Sequence, residues 1–81
     1  MNNDAQRLVG TWTQGNITWV FNANGTGTTM GSNFIYGVSA DGSMFFQPEK
    51  EEAEIFRFYM SPDGRRLIFQ VHGMDFILQK R

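Results

Sequence analysis

Cysteine is absent from the 81 residues of this chain, and histidine occurs once. Without cysteine the chain can form neither a disulfide bond nor a thiolate metal site. Nucleophilic and metal chemistry rely heavily on cysteine and histidine, so we expect neither an enzyme nor a bound metal or other cofactor. The formal net charge is −1. Because phosphate binding needs a basic face, this charge argues against a nucleic-acid partner.

Long hydrophobic runs are also missing. No segment approaches the ~20 consecutive apolar residues that a membrane-spanning helix needs. The first residues, MNNDAQRLV, lack the apolar stretch of a signal peptide. These features predict a cytoplasmic protein by default, although a signal peptide removed beforehand would leave the same sequence.

Turn signals recur at short intervals along the chain. Each lies between runs rich in aromatic and β-branched residues, a pattern typical of successive β-hairpins. The signals are Gly15-Asn16, Asn24-Gly25, Gly31-Ser32, Asp41-Gly42, Asp63-Gly64 and His72-Gly73. They predict eight strands, at about 8–14, 17–22, 26–30, 33–39, 43–47, 54–61, 66–71 and 74–80. A charged loop follows Pro48, and one short helical turn capped by Asn3 or Asp4 precedes the first strand.

Alternation of apolar and polar residues assigns one face of the sheet to the interior. This face collects Trp12, Ile17, Trp19, Phe21, Phe34, Tyr36, Val38, Met44, Phe46, Phe56, Phe58, Met60, Leu67, Phe69, Val71, Met74, Phe76 and Leu78. Turn length independently fixes which residues of adjacent strands lie opposite each other. It predicts large apolar pairs on the same face, namely Trp12 with Trp19, Tyr36 with Phe46, Val38 with Met44, Met60 with Leu67, Phe58 with Phe69, Phe69 with Phe76, Leu67 with Leu78 and Val71 with Met74.

The third strand can be placed in two ways. A three-residue loop ending at Gly25 would turn Gly27 and Thr29 inward, where small residues leave room for aromatic rings. A two-residue Asn24-Gly25 turn would instead turn Thr28 and Met30 inward. We favour the first arrangement.

Eight antiparallel strands with one apolar face must cover that face. With almost no helix available, the sheet folds over as a sandwich or closes on itself, and closure removes its exposed edges. We therefore predict an all-β fold, an up-and-down antiparallel meander that closes into a single small eight-stranded barrel spanning 1–81. A five-stranded OB-like barrel is the alternative, but it requires fewer hairpins and usually a helix.

The order of several short motifs resembles the lipocalins and the wider calycin group, in particular small bacterial lipocalin-like domains. The opening Leu8-Val9-Gly10-Thr11-Trp12 resembles their Gly-x-Trp start. Further matches are Phe21 before Gly25-Thr26-Gly27, Tyr36 before Asp41-Gly42, the stretch Tyr59 to Leu67, and the ending Leu78-Gln79-Lys80-Arg81. The resemblance implies an up-and-down barrel in which Gly10 and Trp12 are structural. It places Trp12 at the closed end, beneath the N-terminal segment, with Lys80 or Arg81 over its ring.

Residues that carry chemistry have plainer explanations in this chain. His72 lies in a tight turn, and Ser61-Pro62-Asp63-Gly64 is a turn preorganised by proline. Asn22-Ala23-Asn24-Gly25 begins like a calcium loop, but the required acidic ligands do not follow. The carboxylates of the charged loop, Glu49, Glu51, Glu52 and Glu54, are expected to be solvated.

The interior of so small a barrel is either filled by side chains or holds one small apolar ligand. In the second case its lining should be Trp19, Phe34, Tyr36, Phe46, Phe56, Phe58 and Phe69. Filling stabilises a short chain, which has little core to spare.

The outer face also carries apolar residues. The predicted registers place Tyr59, Ile68 and Ile77 side by side on the sixth to eighth strands, and Ile55 extends the group. A contiguous apolar row more often marks an interface than scattered apolar residues do. The sequence thus supports two functions: a non-enzymatic lipocalin-like barrel that binds a small hydrophobic ligand, or a solid-core interaction module that acts through this row, for example as a homodimer.

Overall fold

A computed structural model describes residues 4–81, so a cap at Asn3 lies outside the described residues. One short helix precedes eight strands, which close into an antiparallel barrel in chain order. The elements are α1 (Asp4–Leu8), β1 (Gly10–Gln14), β2 (Ile17–Phe21), β3 (Thr26–Thr29), β4 (Ser32–Val38), β5 (Ser43–Pro48), β6 (Glu54–Met60), β7 (Arg66–Val71) and β8 (Met74–Lys80). The predicted all-β, up-and-down barrel with a short N-terminal helical turn is confirmed. β1 begins two residues later than predicted, because Leu8 ends the helix.

The strand registers agree with those derived from turn length. Trp12 lies opposite Trp19, and Tyr36 opposite Phe46. Phe69 lies between Phe58 on one side and Phe76 on the other. The remaining predicted pairs also form, namely Val38 with Met44, Met60 with Leu67, Leu67 with Leu78 and Val71 with Met74.

The third strand adopts the favoured arrangement, with Gly27 opposite Phe21 and Thr29 opposite Trp19. Glycine at position 27 has a steric reason, since a Cβ atom there would overlap the ring of Phe34 and the carbonyl oxygen of Val20. The turn that follows is Met30-Gly31 rather than the predicted Gly31-Ser32. Both of its residues have positive φ, 51° and 78°, as a two-residue hairpin turn requires.

Connections alternate between the two ends of the barrel. The end that we call the mouth carries the two-residue turns at 15–16, 30–31 and 72–73 and the loop at 49–53. The other end, the closed end, carries three loops that share one device, a side-chain oxygen that accepts the backbone N–H two residues later. The acceptors are Asn24 Oδ1, Asp41 Oδ1 and Asp63 Oδ1, at 3.1, 3.0 and 3.0 Å from the donor nitrogens.

The closed end is covered by α1. The guanidinium of Arg7 donates to the carbonyl oxygens of Ser61 and Pro62 at 3.0 and 3.1 Å, which ties the helix to the β6–β7 loop. Leu8 is fully buried, and its carbonyl oxygen accepts a 2.8 Å hydrogen bond from the indole N–H of Trp12. Alternation along strands could not identify Leu8 as a core residue, because it lies on the helix.

The buried core is continuous through the barrel. It consists of Leu8, Trp12, Phe21, Phe34, Met44, Phe46, Phe56, Phe58, Leu67, Phe69 and Leu78. Met74, predicted to point inward, is 61% exposed, because it begins β8 at the mouth, where few side chains remain to cover it. Among residues 4–81, no helix has the length and apolar character needed to cross a membrane.

Candidate ligand-binding site at the barrel mouth

The mouth half of the barrel holds a small apolar cavity. Its volume is about 190 Å³, and five aromatic side chains, one valine and one carboxylate line it. The lining residues are Trp19, Phe46, Glu54, Phe56, Phe69, Val71 and Phe76. The cavity is somewhat larger than the roughly 150 Å³ cavity that accommodates benzene in a protein core. It therefore fits a molecule of about one ring with a few further atoms.

A more open recess adjoins this cavity and shares Trp19, Phe46 and Phe76 with it. It measures about 490 Å³ and adds more polar groups. Its other lining residues are Gln14, Ile17, Thr29, Met30, Ser32, Asn33, Phe34, Pro48 and Glu51. The two spaces therefore lie side by side at the mouth.

The aromatic side chains support one another around the indole of Trp19. Its ring centre lies 5.6 Å from that of Phe69 and 5.8 Å from that of Phe46, at interplanar angles of 74° and 48°. Phe56 lies 5.1 Å from Phe69 and 6.0 Å from Phe46. Tilted and edge-to-face pairs of this kind are favourable and fix ring orientation. The cavity wall is therefore preorganised.

Two buried polar atoms beside the recess have no hydrogen-bond partner among the described residues. They are the indole nitrogen of Trp19 and the hydroxyl oxygen of Thr29, two residues that lie opposite each other in the β2–β3 pair. More than nine in ten buried polar groups in proteins do have a partner. Leaving one unpaired costs about 1–3 kcal/mol.

The mouth is strongly acidic. Its loop and the adjacent strand ends carry one lysine, Lys50, and five carboxylates, Glu49, Glu51, Glu52, Glu54 and Asp75. Glu54 lines the cavity and Glu51 lines the recess. Oε1 of Glu54 lies 3.3 Å from Nε2 of His72. The side chain of Glu54 is nevertheless 47% exposed, so its carboxylate is open to a ligand.

Five of the residues predicted to line a cavity lie at this site. Trp19, Phe46, Phe56 and Phe69 line the cavity, and Phe34 lines the recess. The other two, Tyr36 and Phe58, lie nearer the closed end and line neither space.

Backbone and side-chain contacts fix these two residues near the closed end. The hydroxyl of Tyr36 donates to the carbonyl oxygen of Asn22 at 2.6 Å, and burial raises the pKa of Tyr36. The backbone N–H of Phe58 donates to Gly42. Both acceptors belong to closed-end loops.

Sequence reasoning overlooked Thr29, Val71 and Phe76 as lining residues. Val71 and Phe76 flank the His72-Gly73 turn, and proximity to a mouth turn was the signal that could have identified them. Thr29 follows from the favoured placement of β3, which turns this residue toward Trp19. Glu54 lies two residues before Phe56 on β6 and therefore points to the same, inner face of the sheet, although the sequence analysis expected it to be solvated in the charged loop.

The remaining chemistry-bearing residues occupy turns. His72 has φ of 52° and Gly73 φ of 76°, as a two-residue hairpin turn requires. Asn24 Oδ1 accepts from the backbone and the hydroxyl of Thr26, so it caps its own loop. Within residues 4–81, no three histidine, cysteine or carboxylate side chains are arranged to hold a metal ion.

The outer face of β6–β8 carries the apolar residues predicted there. Tyr59 lies opposite Ile68, and Ile68 opposite Ile77. We call these three residues the outer stripe; Tyr59 is 50% and Ile77 51% exposed. Ile55 is 74% exposed but lies opposite Phe45 and is separated from Tyr59 by Arg57. It therefore belongs to a neighbouring pair rather than to the stripe.

Comparison of the chain with protein-family models, with curated proteins and with solved structures gave no match.

Proposed function

We propose that this protein is a non-enzymatic, lipocalin-like binding barrel that takes up a small, largely apolar molecule at its mouth. The observation that carries the proposal is the aromatic cavity of about 190 Å³ at the mouth, which Glu54 also lines and a wider recess adjoins. Apolar pockets with a few convergent polar groups are the usual form of small-molecule sites. The ligand would place a ring or short alkyl group among the aromatic side chains.

The two ends of the barrel have different tasks in this proposal. Trp12, Phe21, Phe58 and Leu67 fill the closed half and supply stability. The mouth half leaves space where Trp19 and Phe76 remain only partly buried. A chain of this size can therefore keep a filled core and still hold a cavity. The resemblance to lipocalin-like domains supports the same division, since it implies that Trp12 is structural.

Acetophenone is a suitable first probe, because one ring with a two-carbon substituent matches the size of a cavity of about 190 Å³. We expect saturable shifts of the Trp19 indole N–H signal in nitrogen-15 correlation spectra, while the Trp12 indole signal stays in place. Phe76→Trp should abolish the shift by filling the cavity. Met74→Trp adds the same ring at an exposed position two residues away and should preserve it. No response of Trp19 at millimolar acetophenone would reject the proposal.

The outer stripe supports a second candidate function, self-association. Its three apolar side chains are continuous across three strands, and cross-strand neighbours lie only about 5 Å apart. The row on its mouth side runs from Arg57 through Gln70 to Asp75, so the two outer strands carry opposite charges. A twofold axis parallel to β7 would place β6 over β8 of a second copy and bring those charges together. The two functions are compatible, since one uses the inside of the barrel and the other its outside.

A further inference from the structure

The charged residues that line the cavity and its recess are both acidic. Glu54 is the one charged residue among the seven that line the cavity, and Glu51 is the one charged residue that lines the adjoining recess. The mouth as a whole carries five carboxylates, one lysine and the imidazole of His72, although the net charge of the chain is only −1. The basic residues are thus concentrated elsewhere, at the closed end and on the outer wall. This separation gives the mouth a negative potential, which attracts cations and repels anions.

The aromatic wall favours the same sign of charge. Five rings surround the cavity, and aromatic faces attract cations within about 6 Å of the ring centre. Cages of aromatic side chains recognise alkylammonium groups by this attraction combined with the fit of their apolar methyl and methylene groups. A fatty acid or another carboxylate would have to approach Glu54 and Glu51 with the wrong charge.

The position of Glu54 allows a specific contact. Glu54 lines the cavity, its carboxylate pairs with His72 at 3.3 Å, and its side chain is half exposed. An ammonium group leaving the ring cavity would meet it without full desolvation of either charge. Partly solvated pairs of this kind contribute modestly but favourably, since little hydration is lost.

We propose that the ligand is a small organic cation, with an ammonium group beside Glu54 and an apolar body among Trp19, Phe46 and Phe76. This inference rests on the proposed binding function and specifies its ligand class. The charge of the mouth selects against anionic ligands of the same shape.

Three probes of nearly equal shape test this class: 2-phenylethylammonium, 2-phenylethanol and 3-phenylpropanoate. In calorimetric titrations we expect the ammonium to bind about tenfold more tightly than the alcohol, and the carboxylate most weakly. Glu54→Gln should reduce the preference for the ammonium to about threefold or less. Glu52→Gln removes the same charge from a loop position that does not line the cavity, and it should preserve most of the preference.

The outcomes separate this inference from the function on which it rests. Equal binding of all three probes, or tightest binding of the carboxylate, would overturn the cation class while leaving the cavity as a binding site. If Glu54→Gln leaves the preference for the ammonium over the alcohol unchanged, the ammonium group does not bind beside Glu54. If none of the three probes binds at millimolar concentration, the binding function fails as well. In ~1 M salt, where screening acts over ~3 Å, the preference for the ammonium should shrink and the affinity of the alcohol should not.

Discussion

The ammonium group of Lys80 lies 4.7 Å from the centre of the Trp12 ring and donates a 2.7 Å hydrogen bond to the carbonyl oxygen of Val9. It also occupies the space that a Cβ atom on Gly10 would need. Burial lowers the pKa of Lys80. At the closed end, beside α1, one cation thus lies over one indole, and the glycine two residues before Trp12 makes room for that cation.

Gly10→Ala should destabilise the protein. Gly10 has φ of 135°, where a side chain is strained, and the added Cβ would displace Lys80 from Val9. We expect the free energy of unfolding to fall by about 1–3 kcal/mol in urea titrations. Gly37→Ala is the matched control, because a Cβ atom on that strand glycine meets nothing within 4 Å. Equal effects of the two substitutions would contradict a special role for Gly10.

Trp12→Ala should be among the most damaging substitutions in the chain. Trp12 is fully buried, contacts Lys80 through its ring and donates to Leu8 through its indole N–H. Removing a large buried aromatic side chain costs about 3–5 kcal/mol. Thermal unfolding followed by circular dichroism measures the loss, with Met74→Ala, at an exposed position, as the control. A melting temperature within a degree or two of wild type would show that Trp12 does not anchor the closed end.

The closed-end loops should make stability depend on pH in acid. Hydrogen bonds from Ser43 lower the pKa of Asp41, and hydrogen bonds from Ser61 and Arg65 lower that of Asp63. Because the folded-state values lie below the unfolded ones, this stabilisation is complete above the ordinary carboxyl pKa of about 4 and is lost as pH falls below it. Asparagine preserves the backbone-capping oxygen without titrating in this range.

The double variant Asp41→Asn with Asp63→Asn should therefore lose less stability than wild type between about pH 4 and pH 2. Urea midpoints measured across this pH range give the change of stability with pH for the wild type and for the double variant. Identical slopes would mean that other groups account for the acid dependence.

The strand registers were predictable because two independent constraints specify them. Turn length sets the residues opposite each other, and alternation sets the face, so an error in either would have placed polar residues in the core. The pairing of Phe69 with both Phe58 and Phe76 satisfies both constraints. The barrel then follows from eight such strands with one apolar face.

Position along the barrel axis was not predictable in the same way. Alternation shows that Phe58 and Phe76 both point inward, but the tilt and stagger of the strands decide which end each one reaches. Phe58 lies near the closed end, and Phe76 lines the cavity. Met74 is a second example: it lies on the same face of β8 as Phe76 and Leu78, but it begins the strand at the mouth and is exposed to solvent. Whether an inward-pointing residue lines the cavity thus depends on how the strands tilt and stagger in the closed barrel, which the pairing within one hairpin does not determine.

The outer stripe gives the last prediction, self-association through β6–β8. Two copies related by a twofold axis parallel to β7 would cover Tyr59, Ile68 and Ile77 and place Arg57 over Asp75 of the second copy. Twofold dimers are the commonest homo-oligomers, and sedimentation at ~100 μM should reveal this one. Ile68→Lys combined with Ile77→Lys should shift the dimer to monomer and leave the fold intact, because both side chains point outward. Ile35→Lys changes an exposed isoleucine on β4, away from the stripe, and should leave the dimer unchanged. If the wild-type protein sediments as a monomer at ~100 μM, the predicted homodimer through the outer stripe is excluded.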